Sequence, residues 1–431
     1  KDIYKMKNNI FWFRRDLRIE DNTALANALS AKENVIPIFI FDANIIDSLP
    51  KDDARVSFIY NQLEKINNQL KEFKSSLLVK YGDPKEIFKQ LLKDFDVKKV
   101  YSNKDYEPYA IKRDKDITSL LLQKNITHIQ FKDQVIFEPH EVLKDNGDPY
   151  TVYTPYKNKW LSMFNQKSIE IIEKVNHDNF LKKSFSFPNL SDIGFLKSHI
   201  QVENYRLNIL DNYEKNRDSP ASDKTSYLSV HLRFGTVSIR RIISLLKDNH
   251  QIFLSELIWR EFFMQILFNF PHVCNGSFKP KYDRIKWRNN KEEFKLWCEG
   301  KTGYPMVDAG MRQLNKTGYM HNRVRMIVAG FLCKHLLIDW KWGERYFAQK
   351  LLDYEKSSNN GNWQWAAGTG CDAAPYFRIF NPFTQQKKFD KDCIYIKKWI
   401  EDFDENQYLP YIVDHKLARE RALSCYKLYL S

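Results

Sequence analysis

Hydrophobic and polar positions alternate along the first ~130 residues so as to predict two kinds of element in turn. Short runs at residues 9–13, 35–41, 76–79, 99–102 and 128–131 are rich in β-branched and aromatic side chains and predict strands. Longer amphipathic stretches lie between them. Over residues 53–73, Val56, Ile59, Leu63, Ile66 and Leu70 recur every three or four positions, on one face of a helix. Such alternation predicts an α/β domain, a doubly wound parallel sheet with helices on both faces, because a parallel neighbour is reached only by a crossover over the sheet.

Past residue 205 the strand signals vanish. Residues 238–247, 253–268, 304–314, 322–337 and 344–352 carry helical periodicity and predict an all-α C-terminal domain. Between the two regimes, residues 136–205 are polar and punctuated by Pro, Asn, Asp and Ser, the pattern of an extended connection. The expected division is an α/β domain at 6–135, an interdomain linker at 136–205 and a helical domain at 206–431.

Composition changes this picture little. A chain of 431 residues exceeds what one core usually supports, which agrees with two domains. Its 43% hydrophobic and 28% charged residues are those of an ordinary globular protein. No apolar run approaches the ~20 residues needed to span a bilayer, and no leader-like segment precedes the first strand. A cytoplasmic protein without membrane contact is expected, and nothing in the pattern calls for an obligate interface, so a monomer is expected. The six cysteines show no C-x-x-C pair and no histidines at metal spacing, which predicts reduced thiols and no metal site. Lys and Arg number 68 against 54 Asp and Glu, a net charge of +14. That balance favours a polyanionic partner, although a lysine-rich background yields the same sign without one.

Candidate chemistry lies in the helical half. Glu256, Trp259, Arg260 and Phe263 are spaced i, i+3, i+4, i+7 and share a helical face. A carboxylate and a guanidinium beside an indole fit a polar ligand; the same spacing also serves an intrahelical ion pair on a solvated face. Thr225, Ser226 and Ser229 form a hydroxyl-rich helix entry that suits a phosphate or a plain N-cap. Trp363 and Trp365, one residue apart among small and amide residues, suit a cavity wall for flat rings. Asn359 just upstream also fits a turn cap. Trp287, Trp340 and Trp363 read by default as core. Lys387 and Lys388 read equally as a solvated face or as phosphate contacts. There is no Gly-x-Gly-x-x-Gly, so a dinucleotide would not be held by that fingerprint.

Taken together, Phe11-Trp-Phe-Arg-Arg-Asp-Leu-Arg18, Val152-Tyr-Thr-Pro-Tyr156, Thr225-Ser-Tyr-Leu-Ser229, Glu256-Leu-Ile-Trp259-Arg-Glu-Phe-Phe263, Gly300-Lys-Thr-Gly-Tyr-Pro-Met-Val-Asp308, Asn359-Asn-Gly-Asn-Trp363-Gln-Trp365 and Asp372-Ala-Ala-Pro-Tyr376-Phe-Arg378 carry a family pattern. In this order they resemble the motifs of the photolyase/cryptochrome family, most closely the class I bacterial cyclobutane pyrimidine dimer photolyases. The resemblance implies FAD bound in the helical domain by Tyr213, Thr225, Ser226, Tyr227, Leu228, Ser229, Arg260, Asn322, Arg325, Asp353, Glu355 and Asn359. It implies a DNA lesion held by Glu256, Trp259, Asn322, Met326 and Trp365, with Arg217, Arg378, Gln385 and Lys388 on the surrounding DNA. It makes Glu256, Asn359 and Met326 catalytic, with Trp363, Trp340 and Trp287 as an electron path from the surface to the flavin, Trp363 nearest it and Trp287 outermost. The implied reaction is light-driven splitting of pyrimidine dimers in DNA by reduced FAD, with no metal.

By the resemblance, Asn359 falls at the position that faces flavin N5 in the family. An amide there tolerates the reduced, anionic flavin, whereas a carboxylate would repel that anion or hand it a proton, so Asn359 argues for repair over a cryptochrome-like photoreceptor. In the (6-4) photolyases histidines stand where this chain has Asn322 and Met326. A DNA-binding flavoprotein without repair activity stays open. Two departures are present. Tyr109-Ala110 replaces the Asn-Glu pair that grips a folate antenna, so a second, antenna chromophore has no specified identity: a deazaflavin, a second flavin or an empty pocket all stay open. Glu355 stands where the family has an aspartate.

Overall fold

The computed structural model describes residues 7–401 and 403–430, so the first residue of the expected α/β domain and the last of the helical domain lie outside the described residues. All five predicted strands form: β1 (Asn8–Phe13), β2 (Asn34–Asp42), β3 (Leu78–Gly82), β4 (Val97–Asn103) and β5 (Thr127–Phe131). They make one parallel sheet in the order β3-β2-β1-β4-β5. β1 is central and buried along its whole length, as a strand covered on both faces must be. β3 begins two residues later than its apolar run. The Ser76 hydroxyl is engaged elsewhere, donating to Lys183 O at 3.0 Å and accepting from Phe185 N at 2.7 Å.

The helix predicted at 53–73 spans Ala54–Glu72, with Asp53 as its N-cap accepting from Arg55 N at 2.9 Å. Val56, Leu63, Ile66 and Leu70 form its buried stripe. A buried charge network ties the loops of this unit. The Asp133 carboxylate meets Arg18 at 2.7 Å and Arg240 at 2.9 Å, and Arg240 also meets Asp21 at 3.1 Å. Burial alone would raise the Asp133 pKa, but the two guanidinium groups outweigh it and the net shift is downward.

The chain separates into two compact units that do not follow chain order. The sheet-bearing unit takes the segment through Glu138, Met163–Glu203 and Leu228–Leu246; the other takes Pro139–Ser162, Asn204–Tyr227 and the chain from Lys247 on. Within the stretch read as a connection, an 11-residue helix forms at Tyr153–Met163. Its buried face is Tyr153, Tyr156 and Trp160, and the Trp160 indole donates to Glu261 Oε2 at 2.7 Å.

The second unit is helical, and beyond β5 the described residues make only isolated bridges. The segments read at 253–268, 304–314 and 344–352 form as Gln251–Asn269, Pro305–Thr317 and Trp340–Lys350. The segment read at 322–337 is an α-helix over Asn322–Gly330 that widens into a π-helical turn, Phe331–His335. The core of this unit lies among these helices, around Trp297, Val307, Met311, Val324, Leu332 and Trp363. The π turn places two titratable groups against the C-terminal helix His415–Leu430. Lys334 Nζ donates to Ala367 O at 2.8 Å and lies 3.8 Å over the Tyr426 ring, and burial lowers its pKa to about 7. His335 Nε2 meets His415 Nδ1 at 2.8 Å. Among the described residues no helix is long and apolar enough to cross a membrane, and no cluster of metal-ligating side chains occurs.

Candidate functional site

Three helices of the second unit carry most of the predicted site residues. On Gln251–Asn269, Glu256 does not pair with Arg260 along the helix. Its carboxylate meets Arg217 at 2.7 Å, which brings a residue expected on DNA phosphates against one expected on the lesion. Burial raises the Glu256 pKa, and Arg217 opposes the shift only in part. The half-buried Trp259 indole lies flat on Tyr153, with ring centres 3.6 Å apart and planes within 7°. Phe263, one turn further, packs where a side chain at Gly361 would collide with it: a Cβ there would sit 2.1 Å from a Phe263 ring carbon. This close approach requires glycine and brings Gln251–Asn269 against the helix Lys356–Ala367. Arg260 is half-buried on the same helix.

On Asn322–Gly330, Arg325 forms a two-pronged pair with Asp353, at 2.8 and 3.2 Å, and donates to Met320 O at 2.7 Å. Met326 lies beside Arg323, whose guanidinium meets Asp218 at 2.6 Å, and Asn322 is exposed at the helix start. Tyr319 donates to Thr225 Oγ1 at 3.3 Å. The segment around Thr225 and Ser226 is bracketed by Asp223 (φ 49°) and Tyr227 (φ 51°), two non-glycine residues in the left-handed region. Strain of that kind persists only where surroundings enforce it, and it concentrates at ligand clamps. Ser226 O accepts from Arg206 N at 2.7 Å. Leu228 and Ser229 open the helix Leu228–Phe234, which groups with the sheet-bearing unit. Tyr213 packs edge-on to Phe253 at 5.1 Å and under the Arg217 guanidinium at 5.7 Å.

The helix Lys356–Ala367 carries the rest. Glu355 is its N-cap, accepting from Ser358 N at 2.9 Å and from the Ser357 hydroxyl at 2.5 Å. A cap explains the carboxylate there. Asn359 is buried, and its Nδ2 donates at 3.0 Å to both the backbone carbonyl and Oε1 of Glu344, so its Oδ1 is left as an acceptor. Trp363 is buried and packs edge-on to Phe347 at 4.9 Å, over Gly343, where a Cβ would come within 2.2 Å of the indole. Trp340 is buried in the same core, and Trp287 and Trp365 pack against it, half-buried. Trp287 also meets the Tyr426 ring edge-on at 6.1 Å. Arg378 and Lys388 are exposed and Gln385 half-buried, the last two on the helix Pro382–Phe389.

These groups fit FAD. The Arg325–Asp353 pair and the Asn359 acceptor suit the polar edge of a flat heterocycle, and the strained hydroxyl-bearing turn suits a phosphate. A family model described as the FAD binding domain of DNA photolyase matches residues 253–407, and one described as DNA photolyase matches residues 9–174. The chain belongs to the DNA photolyase family. It is 37% identical to the deoxyribodipyrimidine photo-lyase of Escherichia coli, covering 98% of this chain and 99% of that one. Against its counterpart from Vibrio cholerae the identity is 35%, over 97% of this chain and 99% of the relative. Among solved structures, a bacterial class III photolyase from Agrobacterium tumefaciens superposes with a TM-score of 0.87 at 33% identity, covering 100% of this chain and 99% of that one. The archaeal photolyase from Sulfolobus tokodaii, a structure with two FAD molecules, gives 0.84 at 35% identity over 98% and 100%.

The sheet-bearing unit of this photolyase-family chain holds the Tyr109-Ala110 departure. Tyr109 is partly exposed and donates to Asp42 Oδ2 at 2.7 Å, and Ala110 is buried. Four contributors escaped the sequence. Tyr153 lies in a motif visible in the chain, but nothing local marks it as the partner of Trp259. Glu344 gave no signal. Gly343 and Gly361 could have been suspected as glycines inside helical patterns, which persist when two elements approach closely.

Proposed function

We propose that this protein is a light-dependent DNA repair enzyme that splits cyclobutane pyrimidine dimers, with FAD as its cofactor. The observation that carries the reading is the geometry of Asn359. Its amide is clamped by Glu344 through Nδ2, which leaves Oδ1 as a neutral acceptor. A neutral acceptor places no charge against an electron-rich ring and offers it no acidic proton, which is what an electron donor that must stay reduced requires.

Bound reduced FAD supplies the light absorption and the electron; the chain's residues bind, orient and exclude water. Arg325 and Asp353 hold the heterocycle's edge, and Thr225 and Ser226 receive a phosphate. Trp259 and Trp365 wall the lesion. A base removed from the duplex recovers its lost stacking on such rings, at roughly 1–3 kcal/mol each. Glu256, raised in pKa by its burial, hydrogen-bonds the base edges, with Arg217 fixing its orientation. The reaction breaks carbon–carbon bonds of the cyclobutane ring and leaves no net oxidation, so no general acid–base pair is needed.

The cryptochrome of Synechocystis superposes with a TM-score of 0.82 at 23% identity, a likeness of fold alone. Asn359 favours repair, because a carboxylate in its place would repel a reduced, anionic flavin. The test is an oligonucleotide with one thymine dimer, incubated with reduced holoprotein under blue light and in darkness. Recovery of base ultraviolet absorbance only in the light is expected. No recovery with flavin bound and reduced would overturn the reading and favour a photoreceptor.

A further inference from the structure

We propose that Tyr153 is a positioning residue for lesion recognition: it fixes the plane of Trp259 and thereby sets the affinity for damaged DNA without entering the photochemistry. The proposal rests on the repair reading above and deepens it. The Tyr153 and Trp259 rings lie face to face at 3.6 Å and 7°. Phe263 stands beside the indole at 5.4 Å and 28°, itself held in place by the absence of a side chain at Gly361.

Tyr153 is in turn pinned from several sides. Its hydroxyl donates to Ser255 O at 2.7 Å, one helical turn before Trp259, and lies 2.6 Å from the Ser255 hydroxyl. Its backbone N–H, an otherwise open donor in the first turn of Tyr153–Met163, donates to Asp372 Oδ2 at 2.9 Å. Phe262 packs edge-on to it at 5.7 Å, and the Lys157 ammonium lies 6.0 Å over its ring. Tyr153 is 6% exposed, so water does not compete for these contacts. A half-buried indole without a flat neighbour would sample several rotamers, and binding a lesion would first have to order it. With Tyr153 in place the wall is pre-formed.

The test uses reduced holoprotein and oligonucleotides with and without a thymine dimer. Tyr153→Leu removes the flat ring, and Tyr153→Phe keeps the ring and loses only the hydroxyl. The expected result for Tyr153→Leu is a dimer-DNA affinity, read in darkness, about tenfold weaker, the scale of a rotor ordered on binding. Affinity for undamaged DNA and light-driven turnover of the saturated complex should stay within about twofold. Tyr153→Phe, which keeps the ring and loses one of its pins, should fall between wild type and Tyr153→Leu. In a Trp259→Ala background, Tyr153→Leu should have no further effect, because nothing is left to position. Where the leucine variant loses its flavin, Tyr153→Met, which fills the volume without a plane, reads the same quantity. Equal weakening on damaged and undamaged DNA, additivity with Trp259→Ala, or a Phe variant as weak as Leu would overturn the proposal. Wild-type protein that binds dimers in darkness yet fails to repair them in light would sink the repair reading alone, and the affinity comparison would still decide the role of Tyr153.

Discussion

The amide nitrogen of Asn359 donates at 3.0 Å to both the main-chain carbonyl and the carboxylate of Glu344. Glu344 thereby engages the nitrogen end of the Asn359 amide twice and leaves the oxygen end as an acceptor. Burial raises the pKa of Glu344, and the bond from Asn359 pulls it partly back. Replacing Asn359 by aspartate would set two carboxylates about 3 Å apart in a buried place, and such a pair shares a proton. Asn359→Asp should therefore retain flavin, shed reducing capacity, and lose roughly tenfold or more of its dimer repair as that proton becomes available to the site. Flavin absorbance during anaerobic photoreduction, followed against pH, would check this; unchanged reduction and repair would contradict it.

Gly361 gives a steric prediction in which two effects oppose each other. An alanine in a helix interior gains about 1 kcal/mol over glycine. Here the new methyl would lie 2.1 Å from the Phe263 ring, and overpacking costs about 1–3 kcal/mol or more. The clash should win. Gly361→Ala should lower the melting temperature and weaken lesion binding together, because Phe263 flanks Trp259. Thermal unfolding and dimer-DNA affinity measured on one preparation would check it.

Trp287 lies at the margin of the core that holds Trp363 and Trp340. If the three pass electrons inward, Trp287→Phe slows photoreduction of oxidised flavin while repair by pre-reduced protein stays nearly intact. Transient absorption and a repair assay separate the two. Equal loss of both would remove Trp287 from the path.

His335 makes the helical unit acid-sensitive. It is buried against His415 and Arg421, and burial lowers its pKa to about 3, with both neighbours adding to the shift. The folded state binds this proton less readily than the unfolded chain, so stability is full above the ordinary histidine range near 6.5 and falls as pH drops toward about 3. His335→Asn should flatten that decline, on the order of a few kcal/mol. Urea unfolding across this pH window would show it; parallel curves for wild type and variant would refute it.

Short runs rich in β-branched and aromatic residues made all five strands readable, and period 3.6 the principal helices, because each element has one or two buried faces that the pattern must serve. The Tyr153–Met163 helix was not readable as such. Its buried face is only Tyr153, Tyr156 and Trp160, set among lysines, asparagine and a proline that give a connection's composition. The resemblance named Arg325 and Asp353 together, and the fold pairs them. The site was illegible wherever function depends on a distant partner. Glu344 and Asn359 are 15 residues apart on different helices, and Tyr153 and Ser255 are 102 apart. Arg217 shows the same limit: the resemblance set it on DNA, and its place against Glu256 is a tertiary fact.

The order of synthesis meets an obstacle in this fold. Trp160 leaves the ribosome well before Glu261, the buried carboxylate its indole binds, and the 101-residue interval includes two pieces of the other unit. The nascent helix around Tyr153 must therefore wait, with its aromatic face uncovered, until the chain from Lys247 on is made. Contacts of such separation are slow to form and leave apolar surface open to aggregation meanwhile. A fragment starting after residue 205 would lack this helix altogether, leaving Glu261 without its indole and Trp259 without its backing. The two halves visible in the sequence are thus not two separable folding problems.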